Sequence, residues 1–264
     1  MQPKKVTALL TGASGKLGRE IAAALSGHGW KLRLTDIQPF PGTLPADAEF
    51  RQIDLADEAS IVDYSRGADV IVHFGGQATD RPFRETVGPN IEGIYSIYEA
   101  ARTNKCRVVY ASSSHCFGFY RQDERLDYDC MYRPDSYYGL SKAYGELMAR
   151  LYWDKHGVES LIIRIGSAEP PEPLDQRMLA TWLSRADLND LIIRGGEASN
   201  VGWCVVWATS DNRQSFWAND LRDAIQWTPT DSADPYIEKL QGVRPSNEIE
   251  AQYQGAGFCA NKAG

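Results

Sequence analysis

Tyr138 and Lys142 stand four residues apart in Tyr138-Gly139-Leu140-Ser141-Lys142. On a helix that spacing puts both side chains on one face. A phenol titrating near about 10 is a weak base at neutral pH. An ammonium beside it favours the phenolate and lowers that pKa, so the pair could take a proton from a hydroxyl. Tyr–Lys pairs are common on helix surfaces, and the reading depends on what surrounds this one. Ala111-Ser112-Ser113-Ser114-His115 closes a candidate strand, and ligands of open α/β sheets bind beyond the carboxyl ends of strands. A serine hydroxyl there could polarise a substrate oxygen or simply cap the strand end. His115 could contact a substrate or pack within its loop.

A second group of residues suits a dinucleotide. Thr11-Gly12-Ala13-Ser14-Gly15-Lys16-Leu17-Gly18 ends a candidate strand and opens a candidate helix. Gly12 permits a tight turn, Gly15 lets the backbone approach a pyrophosphate, and Gly18 allows close helix–strand packing; the helix N-terminus supplies amide donors. Asp36 ends the second candidate strand, 18 residues after Gly18. A carboxylate there binds the adenosine ribose hydroxyls and repels a 2′-phosphate, which favours NAD over NADP. Asp54-Leu55 could hold the adenine edge, and Phe74-Gly75-Gly76 could let the cofactor pass close to the backbone.

These residues need a scaffold. Candidate strands lie at Val6–Thr11, Leu32–Asp36, Glu49–Ile53, Val70–Phe74, Arg107–Ala111 and Ser160–Ile165, with helical patterns near Leu17–Ser26, Ala59–Tyr64, Phe83–Thr103 and Tyr137–His156. Runs such as Val70-Ile71-Val72 and Leu161-Ile162-Ile163 are apolar throughout, as expected of parallel strands buried on both faces. The alternation predicts an α/β fold with a doubly wound parallel sheet over residues 1–166. Pro170, Pro171 and Pro173 break the pattern next. Beyond them a helix at Arg177–Arg185, a short strand at Cys204–Ala208 and a helix at Asn219–Gln226 are expected. That is too little for a second core, so residues 167–264 are expected to form a small C-terminal substrate cap, packed on the first part as one unit.

Composition narrows the function. The chain has 264 residues, 43% hydrophobic and 24% charged, with a formal net charge of −7. Its overall field does not attract nucleic acid or anionic lipid, and no apolar run reaches the length of a membrane span. The basic start, Met1 to Lys5, precedes an apolar run too short for a signal peptide. The five cysteines form no C-x-x-C pair and no zinc spacing, so no metal site is expected, and an odd, unpatterned count suits a reducing compartment. We expect a cytoplasmic protein.

The glycine motif, the serine and the Tyr-x-x-x-Lys pair together resemble the extended short-chain dehydrogenase/reductases, which have a Rossmann sheet, over residues 6–230. Within that family VHFGG (72–76), RPFRETVGPNIEGIYSIYEAAR (81–102), ASSSHCFGFY (111–120), YGLSKAYGE (138–146), IRIGS (163–167) and RMLATW (177–182) are similar to bacterial uronate dehydrogenases. The resemblance implies NAD-dependent oxidation of the anomeric carbon of a hexuronic acid to a lactone. It implies Ser113, Tyr138 and Lys142 as the catalytic set, and places Ile165 with the cofactor residues. Ser167, His115, Ser114 and Gln77 would face the sugar, and Arg177 would clamp its carboxylate. A guanidinium binds an oxyanion bidentately, and a chain of charge −7 that takes an anionic sugar needs such a local cation. Relatives associate through long helices, so a homo-oligomer is expected.

Two positions depart from the family. Ala78 stands where a serine is usual after Gly75-Gly76, and Ser114 where an asparagine is usual. Losing a sugar-facing hydrogen bond can move specificity by orders of magnitude. Sulfoquinovose or a hexose 6-phosphate therefore stay open as substrates. A nucleotide-sugar epimerase or dehydratase is the other open reading, although Ser113-Ser114-His115 offers no acidic residue beside the catalytic hydroxyl.

Overall fold

A computed structural model describes residues 5–245 and 247–261; the start of the chain, at residues 1–4, lies outside them. Seven parallel strands form one sheet: β1 (Thr7–Thr11), β2 (Lys31–Asp36), β3 (Glu49–Gln52), β4 (Val70–His73), β5 (Arg107–Ser113), β6 (Ser160–Ile165) and β7 (Trp203–Ala208), in the order 3-2-1-4-5-6-7. Successive side chains point to opposite faces, and both faces are apolar. Leu10, Leu34, Val72, Val109, Ile163 and Val206 pack with α1 (Lys16–Gly27) on one side. Leu9, Ile71, Val108, Ile162 and Val205 pack on the other, beside α2 (Glu58–Tyr64) and the long helical segment that begins at α3 (Phe83–Thr86). The sheet is the doubly wound Rossmann arrangement expected, and the strand order reverses between β1 and β4, where such sheets open a crevice.

The helix expected to run unbroken over Phe83–Thr103 is interrupted. A π turn at Val87–Glu92 separates α3 from α4 (Gly93–Asn104). Pro89 lies inside this turn and has no N–H to donate, so an α-ladder cannot pass through it. The wider turn buries Asn90, whose Nδ2 donates to Gln77 O at 3.0 Å and to Ser141 Oγ at 2.8 Å. By contrast α5 (Tyr137–His156) has the limits expected from sequence, capped by Ser136, which accepts from Gly139 N, and ended by Gly157 at φ 65°.

After β6 the chain departs most from expectation. The helix expected at Arg177–Arg185 is one turn, α6 (Met178–Thr181), because Trp182 is extended and bridges to Ser167. A full helix not expected at all follows, α7 (Arg185–Glu197), capped by Ser184 accepting from Asp187 N. Its apolar face joins the α1 side of the sheet through Leu188, Leu191 and Ile192. The strand expected in the cap is the seventh strand of the sheet, in register with β6 from Ser160↔Trp203 to Ile165↔Ala208. The helix expected at Asn219–Gln226 shrinks to a 3-10 turn at Arg222–Ile225, stopped by Gln226 at φ 51°. The remaining chain, including α8 (Glu248–Gln252) and α9 (Gly257–Ala260), reaches back to the loop beyond β5 through an Arg121↔Tyr253 bridge.

One ion pair crosses the interior. Arg164 of β6 donates through Nη2 to Glu146 Oε2 of α5 at 2.7 Å, with 2% and 0% of the two side chains exposed. Ser112 Oγ and Tyr132 Oη also donate to that carboxylate, and the guanidinium lies 4.3 Å over the Phe117 ring. Removing one partner of such a pair leaves a charge buried and unpaired. Arg164→Met is therefore expected to lower the unfolding free energy by about 3–5 kcal/mol in urea titration. Adding Glu146→Gln should recover much of that loss; a single variant as stable as the parent would contradict this.

Candidate active site

The loops after β1, β4 and β5 meet at the carboxyl edge of the sheet. Gly12 (φ 72°) touches the backbone after β4: a Cβ on it would lie 2.7 Å from Phe74 O and Gly75 N. A Cβ on Gly18 would lie 2.0 Å from Gly12 O, so α1 can approach its loop only with glycine there. A Cβ on Gly15 would meet only Gly12 O, at 3.3 Å, and would otherwise project into open space. No side chain caps the first turn of α1, which leaves that helix end and its positive dipole to an anion. Asp36 faces the same loop, accepting from Ser14 N and Gln38 N, each at 3.0 Å. These residues fit a dinucleotide: a cradle that only glycine fits, an uncapped helix N-terminus and a carboxylate at the end of β2.

Other expected cofactor residues divide. Gly75 is held by Thr11, whose Oγ1 accepts from Gly75 N and also bonds His73 Nδ1. Phe74 and Ile165 border the apolar core on the α1 side. Leu55 is buried and packs against Gly75 and Gly93. Asp54 is exposed and accepts from Ala56 N, bracing its own turn. Ser14 Oγ donates to Gln38 O. Lys16 pairs with Glu169, an acid beyond β6 that sequence reading did not single out.

Ser113, Tyr138 and Lys142 come together. The ammonium of Lys142 lies 5.6 Å from the centre of the Tyr138 ring and donates to Ala111 O at 2.7 Å. Ser113 ends β5 and hydrogen-bonds the Tyr138 phenol; its Oγ also accepts from His115 N. Burial pushes the phenol up to about 12, with the Ser113 bond pulling the other way. Burial likewise brings the Lys142 ammonium down to about 8. His73, beneath them, is held to about 3 by burial and by the Lys142 charge, so it stays neutral.

Of the expected sugar-facing residues, His115 contacts this pair. His115 meets the Tyr138 ring edge-on at 5.8 Å. Phe258, from α9, stacks on His115 at 4.0 Å. Ser167 bonds Thr181 Oγ1 at 2.8 Å and receives a 3.5 Å contact from Arg177 Nη1. Arg177 Nε donates to Gln254 O at 2.6 Å. Burial lowers the Arg177 pKa, and among the described residues it has no carboxylate within ion-pair distance. Ser114 is buried in the 3-10 turn after β5. Gln77 turns its side chain onto its own loop, where Oε1 accepts from Ala78 N.

Several residues that shape this site were not read from sequence. Asn90 holds the Gln77 backbone from the π turn, and only Gly88-Pro89 hinted at irregularity there. Glu146 lies two helical steps beyond Tyr138 on the same face of α5, a spacing that could have disclosed it. Asp135 accepts from His115 Nδ1 at 2.6 Å and sits just before the α5 cap.

Comparison with known proteins shows the family and the fold. A family model described as the NAD dependent epimerase/dehydratase family matches residues 8–228. A uronate dehydrogenase of Pseudomonas putida is 44% identical over 254 residues, covering 95% of this chain and 94% of its own. Another, from Agrobacterium fabrum, is 40% identical and covers 96% of each chain. The crystal structure of uronate dehydrogenase from Agrobacterium tumefaciens, as a tyrosine-to-alanine mutant complexed with NAD, superposes with a TM-score of 0.92 at 39% identity, covering 98% of this chain and 99% of that one. This chain belongs to the NAD dependent epimerase/dehydratase family, and within it is similar over nearly its whole length to the uronate dehydrogenases.

Proposed function

We propose that the protein oxidises the anomeric carbon of a hexuronate, such as glucuronate or galacturonate, to the aldarolactone with NAD. The observation that carries this reading is the meeting of Ser113, Tyr138 and Lys142 beside the glycine cradle, with the carboxylate-free Arg177 near by. Full-length similarity to uronate dehydrogenases supports it. Residues 167–184, with segments drawn from 209–245 and 247–261, would supply the cap over the sugar, while α7 and β7 belong with the sheet.

In this reading Ser113 holds the C1 hydroxyl oxygen and Tyr138 takes its proton. NAD, when bound, supplies the acceptor for the hydride that leaves C1. The O–H and C1–H bonds break, a C1=O bond forms, and the ring oxygen stays attached, which gives the lactone. Gly12, Gly15, Gly18 and Asp36 would hold the cofactor, and Asp36 would bind the ribose hydroxyls and reject a 2′-phosphate. Arg177, with Ser167, would take the sugar carboxylate. A half-buried guanidinium that no carboxylate among the described residues meets at ion-pair distance, with Asp175 and Asp135 acting on it only from further off, has reason to bind an anion.

The exposed Leu140, Leu147 and Leu151 along one side of α5 support association of identical chains through α4 and α5. The five cysteines are all unpaired, which supports the reducing cytoplasm as the compartment. Among the described residues no helix is long and apolar enough to cross a membrane.

The pH dependence follows from the pair. Removing one proton from Tyr138 and Lys142 together gives either phenol with amine or phenolate with ammonium, at the same total charge. The second arrangement is the working base. Its population therefore rises with pH through about 8, where Lys142 titrates. We expect kcat/KM to fall about tenfold per pH unit below that value. In Lys142→Met only the phenol remains, and the rising limb should move towards about 12. Tyr138→Phe should lose about 10²–10⁴ in kcat while its NAD affinity, read by fluorescence titration, holds. A profile that ignores both substitutions would exclude this base.

Arg177→Ala should raise KM for glucuronate and galacturonate by about 10–100-fold, the worth of charge-assisted hydrogen bonds, and change KM for neutral aldoses little. The same NAD-reduction assay with sulfoquinovose and glucose 6-phosphate tests the substrate class. Faster turnover of either than of the uronates would overturn the assignment to uronates.

A further inference from the structure

Asp135 has a side chain with no solvent exposure. A carboxylate so placed needs partners. Its Oδ2 accepts from His115 Nδ1 at 2.6 Å and its Oδ1 from Ser136 Oγ at 2.7 Å. Three glycines make the space. A Cβ on Gly118 would lie 1.8 Å from Oδ2, one on Gly255 2.0 Å from it, and one on Gly139 3.2 Å from Oδ1. These glycines come from the loop after β5, the first turn of α5 and the C-terminal segment. Three stretches distant in sequence thus close on one carboxyl group.

The bond also fixes the imidazole. A carboxylate only accepts, so His115 must carry its proton on Nδ1. With that nitrogen tied back, the ring has one orientation. In it, His115 stacks on Phe258 at 4.0 Å and faces the Tyr138 ring at 5.8 Å, while Phe258 and Tyr138 are 6.0 Å apart. The three rings form a triangle at the proposed base. The C-terminal segment is held there by Gly255 N donating to Gly118 O at 2.9 Å and by Arg177 Nε on Gln254 O.

We propose that Asp135 is a positioning residue of this site: by fixing His115 it seats Phe258 and the C-terminal segment as one wall of the sugar pocket. The proposal rests on the uronate reading for its substrate, though the seating of the segment does not depend on it. Asp135 touches neither the reacting atoms nor the cofactor cradle, so it should act on sugar binding more than on the chemical step.

The test uses the full chain with Asp135→Asn, which keeps the shape and removes the charge. KM for the sugar should rise about tenfold or more with kcat within about threefold. NAD affinity by fluorescence titration should not change. Amide hydrogen exchange over residues 254–260 should quicken about tenfold while α5 stays protected. Phe258→Ala should give the same KM rise, and the double variant little more. If Asp135→Asn does not fold, Gly255→Ala pushes a methyl into the carboxylate from the tail side and should give the same split. An unchanged sugar KM, unchanged exchange, or a joint fall of kcat, NAD affinity and α5 protection would overturn the proposal. If the parent protein turns over no uronate yet exchange responds to the substitution, the seating role stands and the substrate reading falls.

Discussion

The site depends on where α5 lies against the sheet, and the buried Glu146–Arg164 pair holds it there. Tyr138, Lys142 and Glu146 are successive four-residue steps on one face of that helix. The last of them is tied to β6 through Arg164 and to β5 through Ser112. Ser112 is the neighbour of Ser113, so one carboxylate fixes the helix that brings the proposed base and the strand that brings the hydroxyl beside it. The pair is expensive to bury and is kept because Ser112, Tyr132 and the guanidinium donate to the carboxylate, while Phe117 and Trp207 present their faces to the guanidinium.

Above this anchor, burial sets the proton affinities of the pair. Burial raises the phenol to about 12 and lowers the ammonium to about 8, so each is pushed towards its neutral form and the two titrate further apart than they would in water. His73 beneath them stays neutral, so among the described residues Lys142 is the cation that faces Tyr138 from this layer.

Much of the fold was legible because the strands are short and apolar and turns punctuate them. The glycine loop, Ser113, Tyr138 and Lys142 carry their meaning in local spacing, and sequence reading reached them. What it missed depends on partners distant in the chain. Asn90 matters only because a π turn aims it at Gln77. Asp135 matters because glycines from three segments leave room for it. The α7 helix had a local signal, Ser184 followed three residues later by Asp187, but the sequence reading placed Ser184 inside a helix ending at Arg185 and so passed over it as a cap. Trp203–Ala208 was seen as a strand yet assigned to the cap, because pairing with β6 cannot be read from either segment alone.

Asp36 has a consequence for how cofactor preference is encoded. Its carboxylate, the group proposed to choose between the two nicotinamide dinucleotides, also ties down the amides of Ser14 and Gln38. Discrimination and loop shape are thus one property of one side chain. A lineage drifting towards the phosphorylated coenzyme could not change that position alone; it would first need another acceptor to hold the turn, so the preference is built into the architecture around it.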